Sequence, residues 1–324
     1  MCGWWPRCVK GYRLIGGAIP DLSFGSGDTA LTLNDAYTVD GDTWARETAM
    51  PSKLAFGGSA TLDHKAHIFG GVEFSFGAST IYQTVNRSFH GGAWTAKTAM
   101  PTGRDYFASD AATEKAFAIG GHTGGTGLYE IQNGTETTER NENESYDAAA
   151  NAWTTNTALS ATRARLPSSS IDGKLYLAGG LSSGTAVNLH QEYNATSDSY
   201  ATKTNLPSPL RSESSGGAFQ GKAYVVHGVG TGDDPFGVPR LDDVDRYDPG
   251  ADSWAAAADV GYWAASSTFV GDIKGHAYVT HGVRLRATTM YRFNYRFDGS
   301  NWITLLRLSS IPERCGAVGE ARAC

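Results

Sequence analysis

The stretch YDAAANAWTTNTALSATRARLPSSSIDGKLYLAGG, residues 146–180, sets the period of the whole chain. It contains a Tyr-Asp pair, a Trp seven residues after the Tyr, an apolar residue six after the Trp and a Gly-Gly 26 after the Trp. Self-similarity at a fixed period of 20 to 50 residues is typical of solenoids, propellers and other repeat arrays. The same spacing recurs along the chain, so the repeat decides the fold.

Six aromatic residues mark the repeats: Trp44, Trp94, Trp153, Tyr200, Trp254 and Trp302. An apolar residue follows each of them by six positions: Met50, Met100, Leu159, Leu206, Val260 and Leu308. A second aromatic precedes each by seven or five positions: Tyr37, Phe89, Tyr146, Tyr193, Tyr247 and Phe297. Gly-Gly or His-Gly follows the first five by 26 or 27 positions, at 70–71, 120–121, 179–180, 227–228 and 281–282.

This order of Gly-Gly, Tyr-Asp, Trp and Met-Pro resembles the kelch repeat, and Tyr146-Asp147 and Tyr247-Asp248-Pro249 match it most closely. The resemblance covers nearly the whole chain and implies a β-propeller with one four-stranded blade per repeat. Independently, short apolar runs bounded by glycine, such as 174–178 and 223–226, are typical of strands buried on both faces. The chain has no long apolar stripe of helical period, which predicts almost no helix.

We expect an all-β, six-bladed propeller that forms a single domain over residues 1–324. Residues 10–17 read like 173–180, and residues 311–318 read like the strand after each Met-Pro. One blade should therefore combine N-terminal and C-terminal strands and close the ring, which removes a free sheet edge.

The four cysteines, Cys2, Cys8, Cys315 and Cys324, all lie within ten residues of a terminus. They are candidates for a disulfide across the closing blade, which would contribute about 5 kcal/mol in the chain-entropy model. Reduced thiols are the alternative, and a zinc site is disfavoured because the CxxC spacing is absent.

The composition limits partners and compartment. A net charge of −6 and a pI near 5.7 argue against non-specific nucleic-acid binding. No apolar run approaches the length of a transmembrane helix, and MCGWWPRCVKGY has no apolar signal-peptide core. Because disulfides indicate an oxidising compartment, we expect an extracellular or virion-associated protein without a signal peptide in this chain.

Basic residues follow the Met-Pro positions. In the kelch family an arginine is common there, and in some members these arginines surround the channel mouth and bind acidic peptides. The residues to which the resemblance assigns this role are Lys53, Arg104, Arg163 or Arg165, Arg211 and Arg314. Converging arginines suit carboxylate or phosphate ligands. The alternative is that they cap strand ends and bond to loop carbonyls.

Three further features have structural alternatives. Asp233, Asp234, Asp242, Asp243 and Asp245 could offer Ca²⁺ ligands, or form an ordinary solvated loop. The long loop 121–145 could contact a partner, or reflect plain loop variation. His227 and His281 replace the first glycine in adjacent repeats, where packing is favoured over a shared metal because neighbouring sheets lie about 10 Å apart.

The function expected is a non-catalytic binding or structural assembly module without a cofactor. It would recognise a protein partner, a larger assembly, an acidic peptide or a glycan through its loops and channel mouth. Kelch propellers also include a copper oxidase, whose Tyr–Cys crosslink is excluded because no cysteine lies between Cys8 and Cys315. Another member is a sialic-acid mutarotase, so a small-molecule enzyme at the channel mouth is the alternative. No GxSxG, HExxH or phosphate-loop motif is present.

Overall fold

The computed structural model describes residues 11–15, 18–19, 29–73, 81–124, 138–230, 241–261, 267–283, 290–305 and 322–323. Within these ranges the chain forms strands, turns and irregular segments, and no helix. Six antiparallel four-stranded sheets are the blades of a ring, so the predicted six-bladed β-propeller is confirmed.

The blades are numbered in chain order, and the strands of each blade run from the inner strand to the outer strand at the rim. From inner to outer, the strands are Arg322–Ala323, Gly11–Ile15, Asn34–Thr38 and Thr43–Arg46 in blade 1; Gly58–Leu62, Lys65–Phe69, Asn86–His90 and Ala93–Ala96 in blade 2; Ala108–Ala112, Lys115–Ile119, Asn143–Asp147 and Ala152–Asn156 in blade 3; Ser168–Ile171, Lys174–Ala178, His190–Asn194 and Ser199–Thr202 in blade 4; Ser215–Phe219, Lys222–Val226, Val244–Asp248 and Ser253–Ala256 in blade 5; and Thr268–Ile273, His276–Val283, Met290–Phe297 and Trp302–Thr304 in blade 6.

Four short ribbons lie outside the blades. Their strands are Ala18–Ile19 with Thr29–Ala30, Val72–Glu73 with Ile81–Tyr82, Leu181–Ser182 with Thr185–Ala186, and Arg211–Ser212 with Val229–Gly230.

Blade 1 closes the ring with strands from both ends of the chain. Gly11 pairs with Ala323, and Tyr12 pairs with Arg322, in antiparallel register. The shared blade predicted from the sequence is therefore confirmed, although the described C-terminal strand begins later than the predicted one. Residues 311–318 and all four cysteines lie outside the described residues, so the disulfide stays a prediction.

The propeller has two different ends because successive strands of a blade alternate in direction. The hairpin turns between inner and second strands, and between third and outer strands, lie at the turn end. The connections from second to third strands, which carry the Gly-Gly pairs, lie at the opposite loop end. The connections from each outer strand to the next inner strand also lie at the loop end.

The recurring Trp ties blades 2, 3, 5 and 6 to the connection that precedes each of them. Tyr146 lies directly opposite Trp153 across the outer hairpin of blade 3, and the indole N–H of Trp153 donates to the Thr98 carbonyl of the preceding connection at 2.9 Å. Trp254 makes the same bond to the Thr204 carbonyl at 2.8 Å. The apolar core lies between blades, as where Phe117 of blade 3 packs in one cluster with Leu177 of blade 4.

The irregular spacing of seven or five residues has a structural cause. The Tyr146 hydroxyl donates to Asn151 Oδ1 at 2.8 Å, and the same oxygen accepts the Thr98 N–H from the preceding connection at 3.0 Å. Asn151 lies in the turn with a left-handed backbone, φ 49°. Phe89 and Phe297, the two positions with the five-residue spacing, have no hydroxyl for this arrangement.

The second glycine of each Gly-Gly pair lies where two loop-end connections cross. At Gly121 the φ is 105°, and a Cβ there would come within 2.7 Å of the Asp105 carbonyl oxygen. At Gly180 the φ is 88°, and the Ala164 carbonyl oxygen would be equally close. Only glycine fits this crossing without moving backbone, which explains why the pair recurs.

Candidate functional site

Three of the predicted arginines are buried inside their own blades. Arg104 is fully buried, and its guanidinium donates to the Gly120 and Ala118 carbonyls at 2.8 and 2.9 Å and to Glu144 at 2.5 Å. Arg211 is also fully buried and is ion-paired with Asp245. These contacts agree with the alternative to ligand binding that the sequence offered, in which the arginines bond within the fold and cap strand ends.

Arg163 occupies the same position as Arg104, but its hydrogen-bond acceptors include no carboxylate. Its guanidinium donates to the Leu189 carbonyl at 3.0 Å and to Gln191 Oε1 at 2.7 Å. Burial lowers its pKa to about 10. Gln191 therefore takes the place that Glu144 has beside Arg104, and blade 4 buries a cation among neutral acceptors.

The other predicted basic residues fall in different surroundings. Lys53 is half-buried at the loop end, while Leu54, four residues after Met50, takes the place of Arg104 in blade 2. Arg314 lies outside the described residues. Arg165 differs from Arg163, because it belongs to a set of residues at the channel mouth. The two arginines thus lie in different surroundings, and a ligand-binding role of either stays a prediction.

A row of four residues, here called the mouth row, follows the loop-end connections into blades 2 to 5. Its members are Phe56, Tyr106, Arg165 and Glu213. The backbone N–H of each residue donates to the carbonyl of the member before it: Tyr106 to Phe56 at 3.0 Å, Arg165 to Tyr106 at 2.8 Å, and Glu213 to Arg165 at 3.1 Å. The row therefore links the four connections edge to edge around the mouth.

The side chains of the mouth row also touch in sequence. The rings of Phe56 and Tyr106 stack at 4.4 Å and 17°, and the Arg165 guanidinium lies 4.9 Å from the Tyr106 ring centroid. Arg165 then pairs with Glu213 at 2.5 Å. All four residues have left-handed backbones, with φ between 48° and 56°. Such a conformation costs about 1–3 kcal/mol for a bulky residue and is concentrated at functional sites.

Sequence reasoning missed the mouth row because its members share no side-chain chemistry. One signal was available. Phe56, Tyr106 and Arg165 each follow the recurring apolar residue by six positions, the same offset that separates that residue from the Trp.

A cavity of about 610 Å³ lies beside the mouth row, along the inner strands. Gly57, Phe107 and Ser214 line it and are chain neighbours of mouth-row residues. Serine is the most frequent residue of the lining, and several serines bond between blades: Ser168 Oγ donates to the Ser109 carbonyl at 3.0 Å, for example. The channel wall is polar, but part of its hydroxyl capacity is used in joining the blades.

The loop end of blade 3 contains a buried carboxylate and imidazole. Asp105 Oδ1 lies 3.1 Å from His122 Nδ1, and both residues are fully buried. Burial raises the pKa of Asp105, while its hydrogen bond to His122 and the charges of His122 and Arg165 act in the opposite direction. Thr138 Oγ1 lies 3.2 Å from His122 Nε2. Thr138 belongs to the long loop 121–145, of which residues 125–137 lie outside the description.

The remaining sequence candidates have ordinary surroundings where they can be seen. His227 is fully buried, with Nδ1 3.0 Å from Ser267 Oγ; burial, together with the charge of Arg211, lowers its pKa to about 3. Asp245 is paired with Arg211. Asp233, Asp234 and the side chain of His281 lie outside the described residues. Within the described ranges no three acidic, histidine or cysteine side chains gather as a metal site would require.

Comparisons with known proteins bear on the fold. No protein-family model matches the chain, and no curated protein matches it in sequence. The solved structure of YjhT is similar, with a TM-score of 0.69 and 12% sequence identity over 93% of this chain and 98% of that chain. At this identity the likeness shows the fold alone, a β-propeller, which suits a binding or structural module in general. Among the described residues, no helix is long and apolar enough to cross a membrane.

Proposed function

We propose that this chain is a binding module that recognises a protein partner through the loop end of the propeller. The observation that carries the proposal is the mouth row. Four bulky residues keep a costly left-handed backbone at one mouth of the channel, and an observed outlier of this kind supports a functional hypothesis. The hydrogen bonds between neighbouring connections hold the row in place before any partner arrives.

The residue types of the mouth row also favour recognition of a protein. Tyr and Arg are enriched among the few interface residues that carry most of the binding energy. Phe56 and Tyr106 are half-buried, so part of each ring faces solvent, and the inter-blade bonds leave them little freedom to lose on binding. Arg165 is already paired with Glu213, so an acidic peptide would have to displace that carboxylate. The aromatic pair is therefore the stronger candidate for the first contact.

The contacts of the buried arginines weigh against chemistry at the mouth. The enzyme alternative needs acid–base and cationic residues at the channel mouth, and the arginines at this position could serve it. Arg104, Arg163 and Arg211 instead hold carbonyl, amide or carboxylate oxygens of their own blades. Moving any of them to a substrate would leave those buried acceptors unpaired, at a cost of about 1–3 kcal/mol each.

An assembly in an oxidising compartment, such as a virion or an extracellular complex, is the setting that we propose for this module. The support is the sequence pattern of Cys2, Cys8, Cys315 and Cys324 at the two ends of the chain. A disulfide across the closing blade would need such a compartment.

Sedimentation of the native chain in extracts of its source tests both parts of the proposal. The wild-type chain is expected to sediment as a species much larger than 34.4 kDa. Phe56→Gly with Tyr106→Gly should release it, because glycine accepts the left-handed backbone and removes only the rings. Glu114→Gln at the turn end is the matched control and should remain in the large species.

A wild-type chain that sediments alone near 34.4 kDa contradicts the proposal. So does a large species that the mouth-row variant leaves unchanged. If the large species survives protease treatment of the partner fraction, the partner is a glycan and not a protein. The same run with reductant tests the terminal disulfide.

A further inference from the structure

Blade 3 differs from its neighbours at one repeated loop-end position. There, a residue of the connection entering the blade pairs with the residue after the Gly-Gly or His-Gly pair. The pairs are Ala55 with Val72, Ala164 with Leu181, and Ser212 with Val229 in the connections into blades 2, 4 and 5, but Asp105 with His122 in blade 3. Small and apolar side chains therefore satisfy this position in three blades out of the four in which the structure describes it.

The fold does not need ionisable groups at this position, and burying them is costly. An unpaired buried charge costs several kcal/mol, and a buried ion pair is often no more stable than apolar residues of the same volume. A departure from the repeat that carries such a cost points to a function rather than to packing. The third partner of the pair indicates what that function is.

That third partner is an exposed hydroxyl. The Nδ1–H of His122 donates to Asp105 Oδ1 over 3.1 Å, which leaves Nε2 to accept the hydroxyl proton of Thr138 over 3.2 Å. Asp105 and His122 are fully buried, while Thr138 is exposed at the loop end. Hydroxyl, imidazole and carboxylate thus stand in the order of nucleophile, base and orienting group used in acyl transfer.

We propose that Thr138 is a reactive hydroxyl, activated by His122 and Asp105, that accepts an acyl group from a carboxylic ester. Thr138 Oγ1 attacks the carbonyl carbon, and its proton passes to His122 Nε2. The Asp105 carboxylate stabilises the imidazolium through Nδ1. As the tetrahedral intermediate collapses, the bond to the leaving alkoxide breaks and Nε2 returns the proton to it. Water, activated by the same imidazole, then releases the acid and restores Thr138.

Two features of the surroundings fit this role. His122 is held on both sides, because its backbone bridges to Asp105 and to Glu139. The Tyr82 ring packs against the imidazole at 5.8 Å in an edge-on arrangement, and the Tyr82 hydroxyl donates to the Gly124 carbonyl. The imidazole is thereby fixed in place. Asp105 directly precedes Tyr106 of the mouth row, but the reaction uses no mouth-row side chain, so the inference goes beyond the proposed binding function.

A fluorophosphonate probe tests the proposal on the full chain, because it phosphonylates base-activated hydroxyls with loss of fluoride. Mass spectrometry of the digested protein should place the adduct on Thr138. Thr138→Ser should keep the labelling, and Thr138→Val should abolish it. Thr48→Val is the matched control, since Thr48 is also an exposed threonine whose hydroxyl is bonded, here to the Gly92 carbonyl, and it should label like wild type.

The decisive variant is Asp105→Ala with His122→Val, which copies the Ala55–Val72 pair of blade 2 and should therefore fold. Its labelling rate should fall by about 10²-fold or more, the usual contribution of a general base. If it does not fold, His122→Asn takes its place with the same expected loss. A folded wild-type chain without an adduct on Thr138 overturns the proposal, as does labelling at an unchanged rate in these variants.

Discussion

His227 should make the stability of the propeller sensitive to mild acid. The residue takes the first glycine position of its repeat, with φ 60°, and lies fully buried between Ser267, Phe293 and Arg211. Burial, aided by the charge of Arg211, lowers its pKa to about 3, against about 6.5 in an unfolded chain. Between these values the unfolded chain binds a proton that the folded chain does not. Stability is therefore complete above about pH 6.5 and falls as the pH is lowered towards 3.

The size of the effect follows from the two pKa values. Between about pH 7 and about pH 5, this one histidine should remove about 2 kcal/mol from the free energy of unfolding. The perturbation is His227→Asn, which does not titrate in this range and which accepts a left-handed backbone. His67 and His190, whose pKa values burial lowers to about 4, remain in the variant. They therefore lower the free energy of unfolding of both proteins equally as the pH falls, and their effect cancels in the comparison.

Urea unfolding at the two pH values, followed by tryptophan fluorescence, measures the difference. The wild type should lose about 2 kcal/mol more than His227→Asn between about pH 7 and about pH 5, whatever the absolute stability of the variant. An equal loss in the two proteins would refute the reasoning, because it would mean that the folded chain protonates His227 as readily as the unfolded chain does.

Three further predictions concern the repeat. Gly121→Ala should cost more than about 2 kcal/mol in urea unfolding, because its Cβ meets a carbonyl oxygen and its backbone is left-handed; a smaller loss would mean that the crossing is loose. Arg104→Met should cost about 3–5 kcal/mol by stranding the buried Glu144, and Arg163→Met, among neutral acceptors, should cost clearly less; equal losses would count against the charge argument. Trp254→Phe should lower stability by about 1 kcal/mol through its lost hydrogen bond, and a neutral result in thermal melting would assign the Trp to packing alone.

The blades were predictable because their signals are local. The distance from Tyr146 to Trp153 is set by one hairpin, and the glycines mark a crossing that recurs in every repeat with the Gly-Gly pair. The closure of the ring in blade 1 was also predictable, since residues 10–17 and residues 311–318 each resemble part of a complete repeat. The exact closing strand was not, because the strand that pairs with Gly11–Ile15 is the two-residue Arg322–Ala323, which carries no apolar pattern to mark it.

The arrangement of the site depends on partners that sequence spacing does not show. Position alone could not tell whether Arg104 would face a ligand or its own blade, because its acceptors are the carbonyls of residues 118 and 120 and the carboxylate of Glu144, 40 residues later. The mouth row unites an aromatic pair with an ion pair, so composition gives no sign of it. Asp105 and His122 are 17 residues apart, and no motif links them in the sequence. That they depart from the repeat becomes apparent only when the equivalent pairs of four blades are compared.

The closing blade also decides how the propeller can be held. Gly11 begins its strand at the turn end, and Ala323, paired with it, finishes there too. A tether, tag or domain joined directly to Gly11 or Ala323 would thus meet the ring on that face. The mouth row and Thr138, which lie at the loop end, would then be on the side of the ring opposite the attachment. A surface coated with the propeller through these two residues should present the opposite face, the loop end, to the solution.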